Sequence, residues 1–167
     1  MLIELRQWTL ADTEVLTTLC NAVDRRYLSD RMPDPYTETD AKTWLTMVAE
    51  NDSVTGVFRA IVVDGLVVGS ISVEQKSDVY RIDGEIGYML LSDYWNQGIM
   101  TKVVQQMCAI AFRSLPLERI TANPFQPNLA SIQVLRKNGF VHEGTLRNAV
   151  VKHGKIFNLC VFGLVKL

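Results

Sequence analysis

Trp95-Asn96-Gln97-Gly98-Ile99-Met100-Thr101 follows an apolar, strand-like run and opens a helix-like one. Backbone N–H groups in the first turn of a helix lack acceptors and carry partial positive charge. A turn of small residues lets a phosphate approach them. Asn96 tolerates the left-handed backbone such a loop needs, though less easily than glycine. The same stretch also reads as an ordinary strand-to-helix turn, with Gly98 serving packing. Other chemistry finds little support. No G-x-G-x-x-G, G-x-x-x-x-G-K-[ST] or G-x-S-x-G pattern occurs. Neither His142 nor His153 has a cysteine at ligand spacing, which argues against zinc and against Cys–His nucleophilic chemistry. No metal is expected.

The elements that position this turn read as a mixed succession. Leu2 to Gln7 alternates as a strand. Thr9 with Asp12 has capping-box spacing and precedes a helix with Val15, Leu16 and Leu19 on one face. Arg25 to Tyr36 reads as a loop or broken helix. Thr37 with Asp40 repeats the cap, and Ala41, Trp44, Leu45 and Val48 mark a second amphipathic helix. Val57 to Val63 and Leu66 to Val73 flank Asp64-Gly65, a hairpin signal. Tyr80 to Leu91 reads as a strand. Gly98 to Leu115 reads as a helix with Met100, Val103, Val104, Met107 and Ala111 as its stripe. Leu117 to Ala122 reads as another strand. Asn128 caps a short helix to Asn138, with Gly139 at its C-terminal end. Val141–Val151 and Lys155–Val165 form a last hairpin around His153-Gly154. With no linker or repeat, residues 1–167 are expected to form a single domain. The order β-α-α-β-β-β-α-β-α-β-β predicts a mixed sheet with helices on its faces. A doubly wound nucleotide fold does not fit.

The bulk properties agree. The 167 residues are 48% hydrophobic and 21% charged, with net charge −1, which fits a folded domain and disfavours a nucleic-acid partner. No apolar run nears the roughly 18 residues of a membrane span, and no signal-peptide pattern opens the chain. Cys20, Cys108 and Cys160 are expected to be buried reduced thiols, as in a cytoplasmic protein.

Four motifs in order carry a family resemblance along essentially the whole chain. Residues 95–101 resemble the pyrophosphate loop of the GNAT acetyltransferases. Asn128 and Ser131, followed by Arg136-Lys137-Asn138-Gly139-Phe140, resemble that family's second cofactor motif. Glu85-Ile86-Gly87-Tyr88-Met89-Leu90 is similar to its central strand. Asp34-Pro35-Tyr36-Thr37, with Asp40-Ala41 and Trp44-Leu45, looks like the front end of the RimJ/RimL branch. The chain departs from the pattern at Asn96, where glycine is usual, and at Lys102, where an acid is common. It also has no tyrosine between Asn128 and Asn138.

The resemblance implies an α/β (α+β) domain: a seven-stranded, mostly antiparallel sheet, splayed in the middle, with about four helices on its faces. It implies acetyl transfer from acetyl-CoA to a primary amine. The pantetheine arm would pair with the strand at Met89, Leu90 and Leu91. The pyrophosphate would sit on residues 96–101: Asn96, Gln97, Gly98, Ile99, Met100 and Thr101. Asn128, Ser131 and Lys137 would complete the cofactor site. Glu85 is the expected general base through a water, the Leu90 N–H the expected oxyanion donor, and Ser131 either a cofactor contact or a proton donor.

The acceptor is expected between the first two helices, the Arg25–Tyr36 loop and the last hairpin. Asp24, Asp30, Asp34 and Glu38 suit a cationic amine there, whereas Arg25, Arg26 and Arg31 suit an acidic or phosphate-bearing one. The branch resemblance favours a protein N-terminus. A small amine and a non-catalytic acyl-CoA-binding module are the alternatives. Both a monomer and a homodimer fit.

Overall fold

The computed structural model describes residues 1–167. The elements are β1 (Ile3–Gln7), α1 (Thr13–Ala22), α2 (Glu38–Asn51), β2 (Gly56–Val63), β3 (Leu66–Gln75), β4 (Asp83–Leu90), α3 (Ile99–Ser114), β5 (Arg119–Ala122), α4 (Leu129–Lys137), β6 (Val141–Lys152) and β7 (Lys155–Val165). Short 3-10 turns occupy Leu10–Asp12, Asp78–Tyr80 and Ser92–Tyr94. The seven strands form one sheet in the order β1-β2-β3-β4-β5-β7-β6. Every neighbouring pair is antiparallel except β4 with β5. No helix is long and apolar enough to cross a membrane.

The sheet separates two cores. On one face Ile71, Ile86 and Leu90 pack with Val103, Met107 and Leu135 of α3 and α4. On the other, Phe58, Ala60 and Val62 pack with Leu16, Leu19 and Leu45 of α1 and α2. Every residue of β2 is buried, as expected of a strand covered on both faces. Burying one such aliphatic side chain contributes about 1.5–3 kcal/mol.

Local signals explain the boundaries. Asp64 (φ 47) and Gly65 (φ 83) take the positive angles of a two-residue hairpin turn, as do His153 (φ 50) and Gly154 (φ 75). The Thr9–Asp12 box closes the 3-10 turn, and α1 begins at Thr13. Leu16, Leu19 and Cys20 form the buried stripe of α1, and Val15 is only half-buried. The expected strand from Tyr80 begins instead at Asp83, because residues 78–80 turn away from the sheet. Gln75 holds that turn by donating to the Arg81 carbonyl, and Val79, Tyr80 and Ile82 are left exposed.

The parting of two central strands follows from a short clasp and a break. β4 pairs with β5 at only three positions: Asp83 with Arg119, Gly84 with Ile120 and Glu85 with Thr121. The buried Asp83 carboxylate holds this end, accepting from Thr121 Oγ1 at 2.8 Å and from Lys76 Nζ at 2.6 Å. Arg119 continues the network to Glu143 at 2.6 Å. That guanidinium's hydrogen bond holds the Glu143 carboxyl below the usual range, outweighing the opposing effect of burial. Beyond Ala122 comes Asn123-Pro124, and proline has no N–H to continue a ladder. The chain then follows β7, where Phe125 bridges Leu159, and β4 runs on to Leu90 paired only with β3.

Candidate active site

The C-terminal end of β4 presents backbone groups in a defined pattern. Lys76 N–H donates to the Asp83 carbonyl and Leu91 N–H to the Val68 carbonyl, both at 2.9 Å. Residues that bond a neighbouring antiparallel strand alternate with residues whose groups face the other way. Asp83, Glu85, Gly87 and Met89 therefore spend their backbone groups on the β3 side, and Leu91 spends its N–H there and its carbonyl on the Tyr94 N–H. Tyr88 and Leu90 face the gap. This revises the expected pairing, since Met89 and Leu91 have no backbone groups free for the pantetheine arm. The Leu90 carbonyl already accepts from the Trp95 indole at 2.9 Å, which leaves its N–H as the group facing the gap.

Trp95 leads into the loop before α3. Asn96 (φ 60) and Gly98 (φ 75) both take left-handed backbone, as the expected loop required of Asn96. Gln97 turns its side chain back to donate to the Asp93 carbonyl at 2.9 Å. The first bond of α3 runs from Lys102 N–H to the Gly98 carbonyl, and no backbone N–H from Asn96 to Thr101 donates to any protein group. Six consecutive amides at the start of a 16-residue helix thus remain free. A Cβ at Gly98 would touch nothing within 4 Å. The glycine serves its left-handed backbone angle rather than packing, and the space beside it is open.

α4 stands beside both features. The Asn128 Oδ1 caps it by accepting from Ser131 N–H at 3.3 Å, which leaves its Nδ2 free. The Ser131 hydroxyl lies 2.6 Å from the Tyr88 hydroxyl of β4. At the other end of α4, Asn138 donates to the Thr101 carbonyl at 3.1 Å. Lys137, the residue before it, is exposed. An open strand edge and free amides at a helix start fit the pantetheine and pyrophosphate parts of a coenzyme A thioester.

Glu85 stands at the fork, on the sheet face opposite Tyr88 and Leu90. It is exposed, and Asn123 Nδ2 donates to its Oε1 at 3.0 Å. Along the same face a Cβ at Gly87 would meet nothing within 4 Å. The Arg25–Tyr36 loop lies nearby. Arg31 approaches Glu74, the partner of Glu85 across β3, at 3.8 Å. Lys152 of the last hairpin pairs with Asp30 at 2.6 Å, and this hydrogen bond holds the Asp30 carboxyl below its usual value. Tyr27 packs edge-on against Phe125 and Phe157.

These contacts revise the charge reading of the loop. Arg25 donates to the carbonyls of Cys20, Met32 and Pro33, Arg26 pairs with Asp24, and Asp30 pairs with Lys152. Arg25, Arg26, Asp24 and Asp30 are thus engaged within this segment or with the last hairpin. All three cysteines are free and buried. Burial pushes the thiols of Cys20 and Cys108 up to about 11 and 12.

Sequence reasoning missed the roles of Tyr88, Asn123 and the Trp95 indole. Strand alternation from Ile86 through Tyr88 to Leu90 was the available signal for Tyr88. Asn123 and Trp95 depend on contacts that only the fold supplies.

Fold and site together define a class, the acetyl-CoA-dependent N-acetyltransferases of the GNAT type. The GNAT acetyltransferase domain model matches residues 3–141, and the chain belongs to that family. It is 32% identical to the uncharacterized N-acetyltransferase YoaA of Bacillus subtilis over 99 residues, 59% of this chain and 55% of that protein. The fold is shared with the ribosomal-protein-S5-alanine acetyltransferase of Vibrio fischeri, at TM-score 0.85 and 22% identity over 98% of this chain and 92% of that one. It is equally shared with RimL, the ribosomal L7/L12 α-N-protein acetyltransferase, solved in complex with coenzyme A. There the TM-score is 0.85 and the identity 19%, over 98% and 93% of the two chains.

Proposed function

We propose that this chain transfers acetyl from acetyl-CoA to the α-amine of a protein or peptide N-terminus. The observation that carries the reading is the placement of Glu85. It lies exposed at the fork of β4 and β5, on the face opposite Tyr88, Leu90 and α4, and the space over neighbouring Gly87 is open. Donor and acceptor can then approach from opposite sides, and an open approach suits a chain end. The likeness to the two ribosomal-protein acetyltransferases supports the same acceptor.

The residues divide the work. The free amides of residues 96–101 hold the pyrophosphate, and Lys137 supplies a cation. Tyr88 offers its free backbone edge to the pantetheine amides, and Asn128 Nδ2 adds a donor. Glu85, kept in place by Asn123, takes the amine proton through a water. An α-amine titrates near 8, so roughly a tenth is already free at pH 7 and a weak base suffices. The Leu90 N–H donates to the charge that builds on the acetyl oxygen. The Ser131 hydroxyl faces the departing sulfur.

The test is an acceptor screen by mass spectrometry with acetyl-CoA, setting peptides with free N-termini against polyamines, aminoglycosides and free amino acids. Turnover of the peptides with mono-acetylation at the α-amine is the expected result. Turnover of only the small amines overturns the acceptor assignment. Tight acetyl-CoA binding with no product from any amine would make the chain a binding module.

A further inference from the structure

We propose that Tyr88 is a positioning residue for acetyl transfer: its phenol donates to Ser131 Oγ and so leaves the serine's own proton free to point at the departing sulfur. The inference rests on the reading that Ser131 faces that sulfur.

The geometry is short and specific. Tyr88 stands between Ile86 and Leu90 on the β4 face that packs against α3 and α4, and its hydroxyl lies 2.6 Å from Ser131 Oγ. A single side-chain hydrogen bond thus spans from the open strand to the first turn of the cofactor helix. Its direction decides the chemistry. A serine hydroxyl has one proton, so if Ser131 donated to Tyr88 nothing would remain for the sulfur. A phenol is the more acidic of the two groups and the better donor, which favours Tyr88 as donor. Burial pushes its pKa up to about 12, against a smaller opposing effect of the Ser131 bond, so the phenol keeps its proton at neutral pH.

The reaction balances without a proton leaving Tyr88. The amine nitrogen forms the C–N bond and loses one proton through Glu85 and water. The C–S bond breaks with its electron pair on sulfur. The sulfur ends with one proton from solvent, so one N–H is exchanged for one S–H. A thiolate whose acid titrates near 8.5 is too weak a base to strip a phenol held near 12. The Tyr88–Ser131 pair therefore acts by hydrogen bonding to the developing charge. Such a bond is worth most where water is excluded.

The experiment compares wild type, Tyr88→Phe, Ser131→Ala and the double variant, with kcat and KM for acetyl-CoA and calorimetric Kd for coenzyme A. The expected result is a fall in kcat of about thirtyfold for Ser131→Ala and about tenfold for Tyr88→Phe. The double variant should be no slower than Ser131→Ala alone, and KM and Kd should stay within about twofold. Wild-type kcat in Ser131→Ala would remove the underlying reading of Ser131. A slow Ser131→Ala beside a fully active Tyr88→Phe would overturn the Tyr88 role alone, as would two losses that simply multiply. Incorporation of a fluorotyrosine at position 88 separates donor strength from packing. It strengthens the donor without changing the shape, so kcat should hold or rise, and a fall comparable to Tyr88→Phe overturns the proposal.

Discussion

In the proposed reaction Glu85 and Gly98 carry opposite halves, and single substitutions separate them. Glu85→Gln keeps the size and the Asn123 contact but removes the base. It is expected to lower kcat/KM for a peptide acceptor by about a hundredfold. The loss should be greatest at low pH, where little amine is free, and the Kd for acetyl-CoA should not change. Steady-state rates from pH 6 to 9 check this, and an unchanged pH–rate profile would remove Glu85 as base. Gly98→Val places a β-branched residue at φ 75 and a side chain over the free amides. Acetyl-CoA binding should be lost while circular dichroism and cooperative unfolding persist. The residue scale was partly legible in the sequence. Residues 95–101 stand out by type and spacing, whereas Asn128, Ser131 and Glu85 are reached as site residues through the family resemblance. Tyr88 did not stand out, because a tyrosine inside a strand looks like packing until its partner on another element is known.

At the scale of elements, caps and clasps decide where helices begin and strands part. Asp12 closes the turn ahead of α1, accepting from Thr9 N–H at 2.8 Å and from Arg6 at 2.9 Å. Burial alone would raise its pKa, but the Arg6 and Thr9 hydrogen bonds and the Arg6 charge together lower it. A carboxyl whose folded pKa is depressed contributes stability that is present above its unfolded value, near 3.9. That stability is lost as the pH falls through the folded value. Melting temperature should therefore fall as pH drops from about 5 to 3. Asp12→Asn should melt lower at pH 7 and show a shallower acid slope, whereas parallel curves for the two proteins would contradict the account. Both capping boxes were visible as Thr-x-x-Asp, and both hairpins through Asp64-Gly65 and His153-Gly154. The start of β4 was not, because alternation alone does not show that residues 78–82 lack a neighbouring strand.

For the molecule as a whole, one irregularity sets the layout. Asn123-Pro124 ends the parallel pairing after three residue pairs and opens the sheet; in the proposed reaction the donor meets α3 and α4 on one side and the acceptor meets the Arg25–Tyr36 loop on the other. The loop is tied to the last hairpin by Lys152 and Asp30. Lys152→Met should raise the acceptor KM several-fold while the acetyl-CoA Kd stays within about twofold, measured by initial rates and calorimetry. Equal changes in both constants would show that the loop does not belong to the acceptor side alone. Element order and the mixed sheet could be anticipated from periodicity and turn signals, and the splay from the family resemblance. The pairing of the loop's charges could not, because Asp30 and Lys152 lie far apart in the chain and meet only once the hairpin has folded over. The measurement that bears most directly on the whole account is calorimetric titration of the wild-type protein and Gly98→Val with acetyl-CoA. The account predicts one site of micromolar or tighter affinity in the wild type and none in the variant. Absence of binding in the wild type, or equal binding in both, would contradict the placement of the cofactor on the free amides before α3.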